Sequence, residues 1–144
     1  MNKTVPATDA PALGFSLQVQ LDKGQTRQIV FQSFVPLNAD IGEINATMDK
    51  VMDAAERQIK KLRLEDLRRG ELDLERQLKF SAEDMVRIDE QNRAEFEQKS
   101  PGRGFKLSAP QRSQREAAVT NAKRGQEMLD ETRKLIHDLE SELN

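Results

Sequence analysis

From residue 15 to residue 21 apolar and polar positions alternate without a fault. Phe15, Leu17, Val19 and Leu21 take one parity; Ser16, Gln18 and Gln20 take the other. A period of two predicts a half-buried strand. Asp22-Lys23-Gly24 then supplies a turn, with Gly24 suited to the left-handed position of a short hairpin loop. The return strand runs from Thr26 to Val35 and ends at Pro36. Ile29, Phe31 and Val35 share one face, while Val30 and Phe34 fall on the other. A lone two-stranded hairpin is marginal in water, so its apolar face must meet a helix or a second hairpin from another chain.

After Pro36 the period changes. Asn38 is a plausible N-cap, with Asp40 and Glu43 in the first turn at the positive end of the helix dipole. An apolar stripe follows as Ile41, Ile44, Met48, Val51, Ala55, Ile59 and Leu62, then Leu67, Leu74, Leu78, Met85 and Ile88. The step from Leu62 to Leu67 breaks the heptad phase. Gly70 and a second capping sequence at Ser81 allow either one long helix with a local irregularity or a kink near 70–81. Unbroken, the helix would reach about 90 Å. Ser100-Pro101-Gly102-Arg103-Gly104 stops it. Ser108-Ala109-Pro110-Gln111 then reads as a capping box for a last helix ending near Leu143. That helix carries Ala118, Ala122, Gly125, Leu129, Thr132, Ile136, Leu139 and Leu143, steps of four and three in turn. Such a seam has to face another helix, because one helix cannot bury its own stripe.

These elements predict a mainly α protein: a flexible tail over 1–12, a β-hairpin over 13–36, and a long antiparallel helical hairpin over 37–144 with a basic loop at 99–108. If the helices fold back near residue 104, facing residue numbers sum to roughly 208. Leu139 then meets the region of Arg69, Leu129 that of Lys79, and Ala118 that of Glu90. The expected geometry leaves residues 41–62 beyond the reach of the last helix. Ile41, Ile44, Met48, Val51, Ile59 and Leu62 then need cover, partly from the β-hairpin and partly from a second copy of the chain. Those six are the expected oligomer interface, with a two-fold dimer favoured because it is the commonest closed arrangement.

Composition sharpens this picture. One third of the chain is charged, 36% is apolar, and six Phe are the only aromatics. That suits an elongated hairpin better than a compact globule. The net charge of −2 is spread unevenly. Residues 99–125 hold seven basic side chains against one acidic, and residues 126–144 hold two against six. Lys99, Arg103, Lys106, Arg112 and Arg115 surround Phe105, a set able to bind phosphates and stack a base or to dock an acidic partner surface. A solvated turn is the plainer alternative. Arg57, Lys60, Lys61, Arg63, Arg68 and Arg69 make a second basic patch, but interleaved acids mark it as a coiled-coil flank.

Catalytic chemistry finds little footing. Cysteine is absent, which removes disulfides, thiol catalysis and cysteine metal sites. His137 is the only histidine, and Lys134 stands where a Glu-x-x-His pair would need its carboxylate. Glu65 with Asp66, Glu71 with Glu75, and Glu127 with Asp130 and Glu131 all have basic neighbours within helical reach, as solvated helix faces do. The glycines around Arg103 follow no strand and lack the spacing of a nucleotide cradle. No catalytic residue, metal or cofactor is therefore expected. Apolar runs are too short to span a bilayer, and the first residues lack the apolar region of a signal peptide. The expectation is a cytoplasmic protein without membrane partners.

An alternating strand pair, GFSLQVQLDKGQTRQIVFQSFVP, leads into the charged helix NADIGEINATMDKVMDAAERQIKKLRLEDLR. Over residues 13–68 this layout resembles small coiled-coil accessory proteins encoded by bacteriophages and prophages. The resemblance implies a protein that binds and modulates a host or phage protein in the host cytoplasm, and it brings no functional residues with it. The leading expectation is a non-enzymatic oligomeric adaptor or inhibitor. The alternative is a nucleic-acid-binding accessory protein that uses the basic 99–115 region.

Overall fold

The computed structural model describes residues 12–20 and 28–144. The expected tail and the Asp22-Lys23-Gly24 turn lie outside those residues. Strand β1 (Ala12–Gln20) pairs antiparallel with β2 (Gln28–Pro36), followed by α1 (Ile41–Lys99) and α2 (Ala109–Leu143). The fold is mainly α, as the periodicity predicts. The strand register is uninterrupted from Ala12 opposite Pro36 to Gln20 opposite Gln28, so the sheet holds no bulge. Ala12 and Gly14 extend the first strand upstream of the alternating run, because backbone pairing requires no apolar side chain.

Asp40, not Asn38, caps α1. Its Oδ1 accepts a hydrogen bond from the Glu43 N–H at 2.8 Å, and its carbonyl accepts the first helical bond from Ile44. Asn38 instead lies in a turn in which the Ala39 N–H bonds the Pro36 carbonyl. That turn places the first helical dihedrals after Asp40, where a carboxylate at N-cap also meets the positive end of the dipole. From Ile41 to Lys99 the helix is continuous, and Ser81 sits exposed within it, capping nothing. Of the two expectations for this stretch, the unbroken helix is the one realised.

Two compact units divide the chain, residues up to Leu62 and Arg63–Asn144. The division falls within α1 and not at the end of the hairpin. The reason is physical: a two-stranded sheet has no core of its own. In the first unit Ala55 is 2% accessible and Val35 5%, and Leu17 of β1 lines a cleft with Met52, Ala55 and Ile59 of α1. The hairpin thus takes its support from residues 52–59 of α1. Odd-numbered positions follow suit. Leu17, Ile29, Phe31 and Ser33 are partly covered and Val35 is buried, whereas Ser16, Gln18, Val30, Gln32 and Phe34 are exposed.

In the second unit the two helices pack against each other. Every expected seam position of α2 is shielded, with Leu129 at 4% and Ile136 at 8% accessibility and the other six partly covered. Facing partners sum to 208 for Arg68 with Glu140 and for Glu75 with Arg133, and to 204 for Asp89 with Arg115. Asn92 with Gln111, near the turn, and Leu78 with Gly125 sum to 203. Arg133 also reaches Glu71, a sum of 204, so along its length the register lies within about one helical turn of the expected one. Gly125 explains how the backbones approach there. A Cβ on it would lie 2.9 Å from Leu78 Cδ2, so the leucine fills the space a side chain would take. This is knob-into-hole packing with the hole formed at a glycine.

Candidate functional site

Two surfaces carry candidate residues, one in each unit. In the second unit, the turn between the helices is a built structure. Gly102 takes φ 78°, a conformation that favours glycine, and the Arg103 N–H bonds the Ser100 carbonyl at 3.2 Å. Ser108 caps α2 through the expected box. Gln111 Oε1 accepts from the Ser108 N–H at 2.9 Å, and Ser108 Oγ accepts from the Gln111 N–H at 3.4 Å. Gln111 also donates through Nε2 to Asn92 Oδ1 at 3.0 Å, which ties the cap of α2 to α1.

Phe105 anchors this turn. Its ring meets Phe96 edge-on at 5.5 Å between centroids, and the Arg93 guanidinium lies 5.5 Å from its centre. A T-shaped pair and a cation–π contact each contribute of the order of 1 kcal/mol. The aromatic expected to stack a base thus helps to hold the loop, while 40% of its surface remains accessible. Arg93 is not among the expected basic residues. A sequence signal for it exists: Phe96 and Phe105 flank a short turn, and Arg93 precedes Phe96 by three residues, on the same face of the helix.

Lys99, Arg103, Lys106, Arg112 and Arg115 are all exposed. Lys99 and Lys106 line one groove with Glu95 and Leu107, and Arg112 and Arg115 line another with Glu116 and Val119. Arg115 is paired with Asp89 at 3.1 Å. Lys99, Arg103, Lys106 and Arg112 have no ion-pair partner among the described residues. The first turn of α2 contains no acid, so its positive end adds to this field.

Farther along the same unit, Arg133 clasps Glu71 at 2.8 Å and Glu75 at 2.7 Å. Hydrogen bonds from the guanidinium to Glu71 and then to Glu75 hold its pKa above the ordinary value. These carboxylates bridge α1 to α2. His137 is exposed on α2. Among the described residues no cluster of carboxylates and histidine is arranged to hold a metal ion, and no helix is long and apolar enough to cross a membrane.

In the first unit, the six expected interface residues divide. Ile44, Val51, Ile59 and Leu62 are partly covered, while Ile41 is 77% and Met48 42% accessible. Other apolar side chains join the exposed set. Phe34 is 68%, Met52 58%, Leu37 56% and Val30 52% accessible. Met52 and Leu37 escape a heptad reading because neither belongs to the stripe. Their exposure depends on where the hairpin lies on the helix. Asp49, Asp53 and Glu56 edge the cleft beside Leu17 and Ala55, giving this unit an acidic margin.

Comparison with known proteins finds no matching family model, no matching curated protein and no matching solved structure. The reading of function therefore stands on the two surfaces themselves.

Proposed function

We propose that this chain is a non-enzymatic, oligomeric coiled-coil protein that binds and modulates another protein, as an adaptor or an inhibitor. The observation that supports this reading is the exposed apolar set of the first unit, Phe34, Leu37, Ile41, Met48 and Met52, each at least 42% accessible. Leaving a large apolar side chain wet forgoes roughly 1.5–3 kcal/mol. Ile41, Met48 and Met52 recur at steps of seven and four, so they share one side of α1. In this reading the first unit assembles copies of the chain, two-fold dimers first. The charged faces of the second unit are left to meet a partner protein. The resemblance of the layout to phage accessory proteins favours a target within the host cytoplasm.

Light scattering on the full chain tests the assembly. The expected mass is twice 16.4 kDa. Ile41→Asp combined with Met48→Asp should return it to the monomer value with unchanged helical circular dichroism, since both side chains are exposed. A monomeric native chain would sink the proposal.

A second reading, nucleic-acid binding, draws on the cations Lys99, Arg103, Lys106 and Arg112, which no ion pair among the described residues occupies. It is weakened by the engagement of Phe105. Replacing Arg103, Lys106 and Arg112 by Ala should lower affinity for single-stranded DNA. The slope of log affinity against log salt should flatten by about 0.7 for each phosphate no longer neutralised. Affinity that is unchanged by the triple substitution would exclude the turn.

A further inference from the structure

The outer edge of β2 carries an unusual combination of features. Both strands are nine residues long, neither contains a charged residue, and the register has no bulge. Natural sheet edges are blunted by charge, bulges, internal proline or brevity, because an open edge presents unpaired N–H and C=O groups to any other strand. Among the described residues the sheet has two strands and so two edges. The one proline, Pro36, stands at the very end of β2.

The two edges differ on the sheet face turned away from the helix. Along β1 that face presents Ala12, Gly14, Ser16 and Gln18, all exposed and none large and apolar. Along β2 it presents Val30, Gln32 and Phe34. Val30 and Phe34 are 52% and 68% accessible, and they stand symmetrically two residues on either side of Gln32. Phe34 also leans across Gly14, where a Cβ would lie 3.1 Å from its ring. Its place is therefore fixed by the hairpin, while most of its surface stays wet.

We infer that β2 pairs antiparallel with β2 of a second copy about a two-fold axis through Gln32, giving a four-stranded sheet in the order β1-β2-β2-β1. This inference rests on the assembly proposed above and names its contact. The pattern is self-complementary in that register. Phe34 falls opposite Val30 of the second copy, an aromatic against a β-branched residue, which is among the favourable cross-strand pairs. Gln32 meets its own symmetry mate, Phe31 meets Ser33, and Ile29 meets Val35. Parity is preserved, so both supporting helices lie on the same side of the enlarged sheet. Pairing through β1 would satisfy as many backbone groups but leave Phe34 and Val30 uncovered.

Spacing permits the arrangement. Two strands occupy about 10 Å of sheet width, and packed helices lie about 8–10 Å apart. Each hairpin is thus one helix wide. The residues 41–62 of two copies can lie side by side, which brings the exposed Ile41 and Met48 towards a second helix.

The chain has no cysteine, so single substitutions report geometry cleanly. Directly opposed residues of an antiparallel pair have Cα atoms about 4.5–5.5 Å apart, within disulfide range. Gln32→Cys should oxidise in air to a covalent dimer nearly quantitatively, and Ser16→Cys, the matching exposed centre of β1, should stay reduced. Val30→Lys, at an exposed position, should halve the mass without loss of helix signal. A dimeric mass with no Gln32→Cys cross-link, or a cross-link through Ser16→Cys instead, overturns the β2 pairing and leaves the assembly itself standing. A monomeric native chain overturns both.

Discussion

The two units are stabilised by different kinds of contact. In Arg63–Asn144 the apolar seam is flanked by ion pairs between helices: Arg68 with Glu140, Arg115 with Asp89, and Arg133 with both Glu71 and Glu75. In the first unit the buried side chains are Val35 and Ala55, and no ion pair between strand and helix occurs among the described residues. Directional, charged contacts fix a register and leave the seam closed. The described contacts between hairpin and helix, at Leu17, Ala55 and Ile59, are apolar and do not choose what covers the remaining apolar surface. The seam of the helical hairpin is closed, yet both units keep exposed apolar side chains, among them Phe80, Val86 and Met128 in the second and Phe34, Ile41 and Met52 in the first.

The contrast can be broken most severely at Leu129, 4% accessible in the seam. Leu129→Ala should cost about 2–4 kcal/mol, read as a lower urea midpoint of the helical signal. A change below about 1 kcal/mol would mean the seam is not the source of stability. At Ala55 the same logic runs in reverse. Ala55→Leu overfills the contact under the hairpin and should cost about 1–3 kcal/mol. Amide exchange should accelerate in β2 while α2 stays protected. Equal acceleration in α2 would refute the independence of the two contacts.

Smaller effects separate two glycines. Gly70 has open space where a Cβ would go, so Gly70→Ala should stabilise α1 by about 1 kcal/mol through helix propensity. Gly125→Ala gains the same propensity but pushes on Leu78, so its net effect should fall near zero. Thermal melts of the two variants give the difference directly, and equal shifts would deny the close approach at Gly125. The smallest effect belongs to Arg133. Its pairs are solvent-screened, so Arg133→Ala should lower the urea midpoint only slightly. The cost should shrink in high salt, as comparison of urea midpoints with and without added salt will reveal.

Much of this architecture is legible along the chain. The seam of α2 follows from steps of three and four because a helix turns once per 3.6 residues, whatever it packs against. The Ser108 box and the stop at Pro101-Gly102 are likewise local chemistry, decided by side chains bonding nearby backbone. The covered face of α1 is less legible, because Glu71 and Asn92 are partly covered though polar, and Phe96 lies beyond the expected stripe. Glu71 is held there by Arg133, and Phe96 by Phe105. Both partners lie across or beyond the turn, so no local pattern reveals them.

The candidate surfaces divide in the same way. That Lys99, Arg103, Lys106 and Arg112 are exposed follows from charge and from their place at a turn. That Phe105 is occupied does not, since its contacts come from α1. Parity along β2 separates Val30 and Phe34 from Ile29, Phe31 and Val35. It cannot say which set turns to the helix, because both faces of that strand are apolar. The sequence by itself determined the elements, most of their caps and the period of each apolar face, since these depend on backbone geometry within a few residues. Only the tertiary structure decided which apolar face was covered, where α1 passes from one unit to the next, and that β2 pairs only with β1 among the described residues. Those outcomes depend on which distant segments meet, and burial is a property of the meeting.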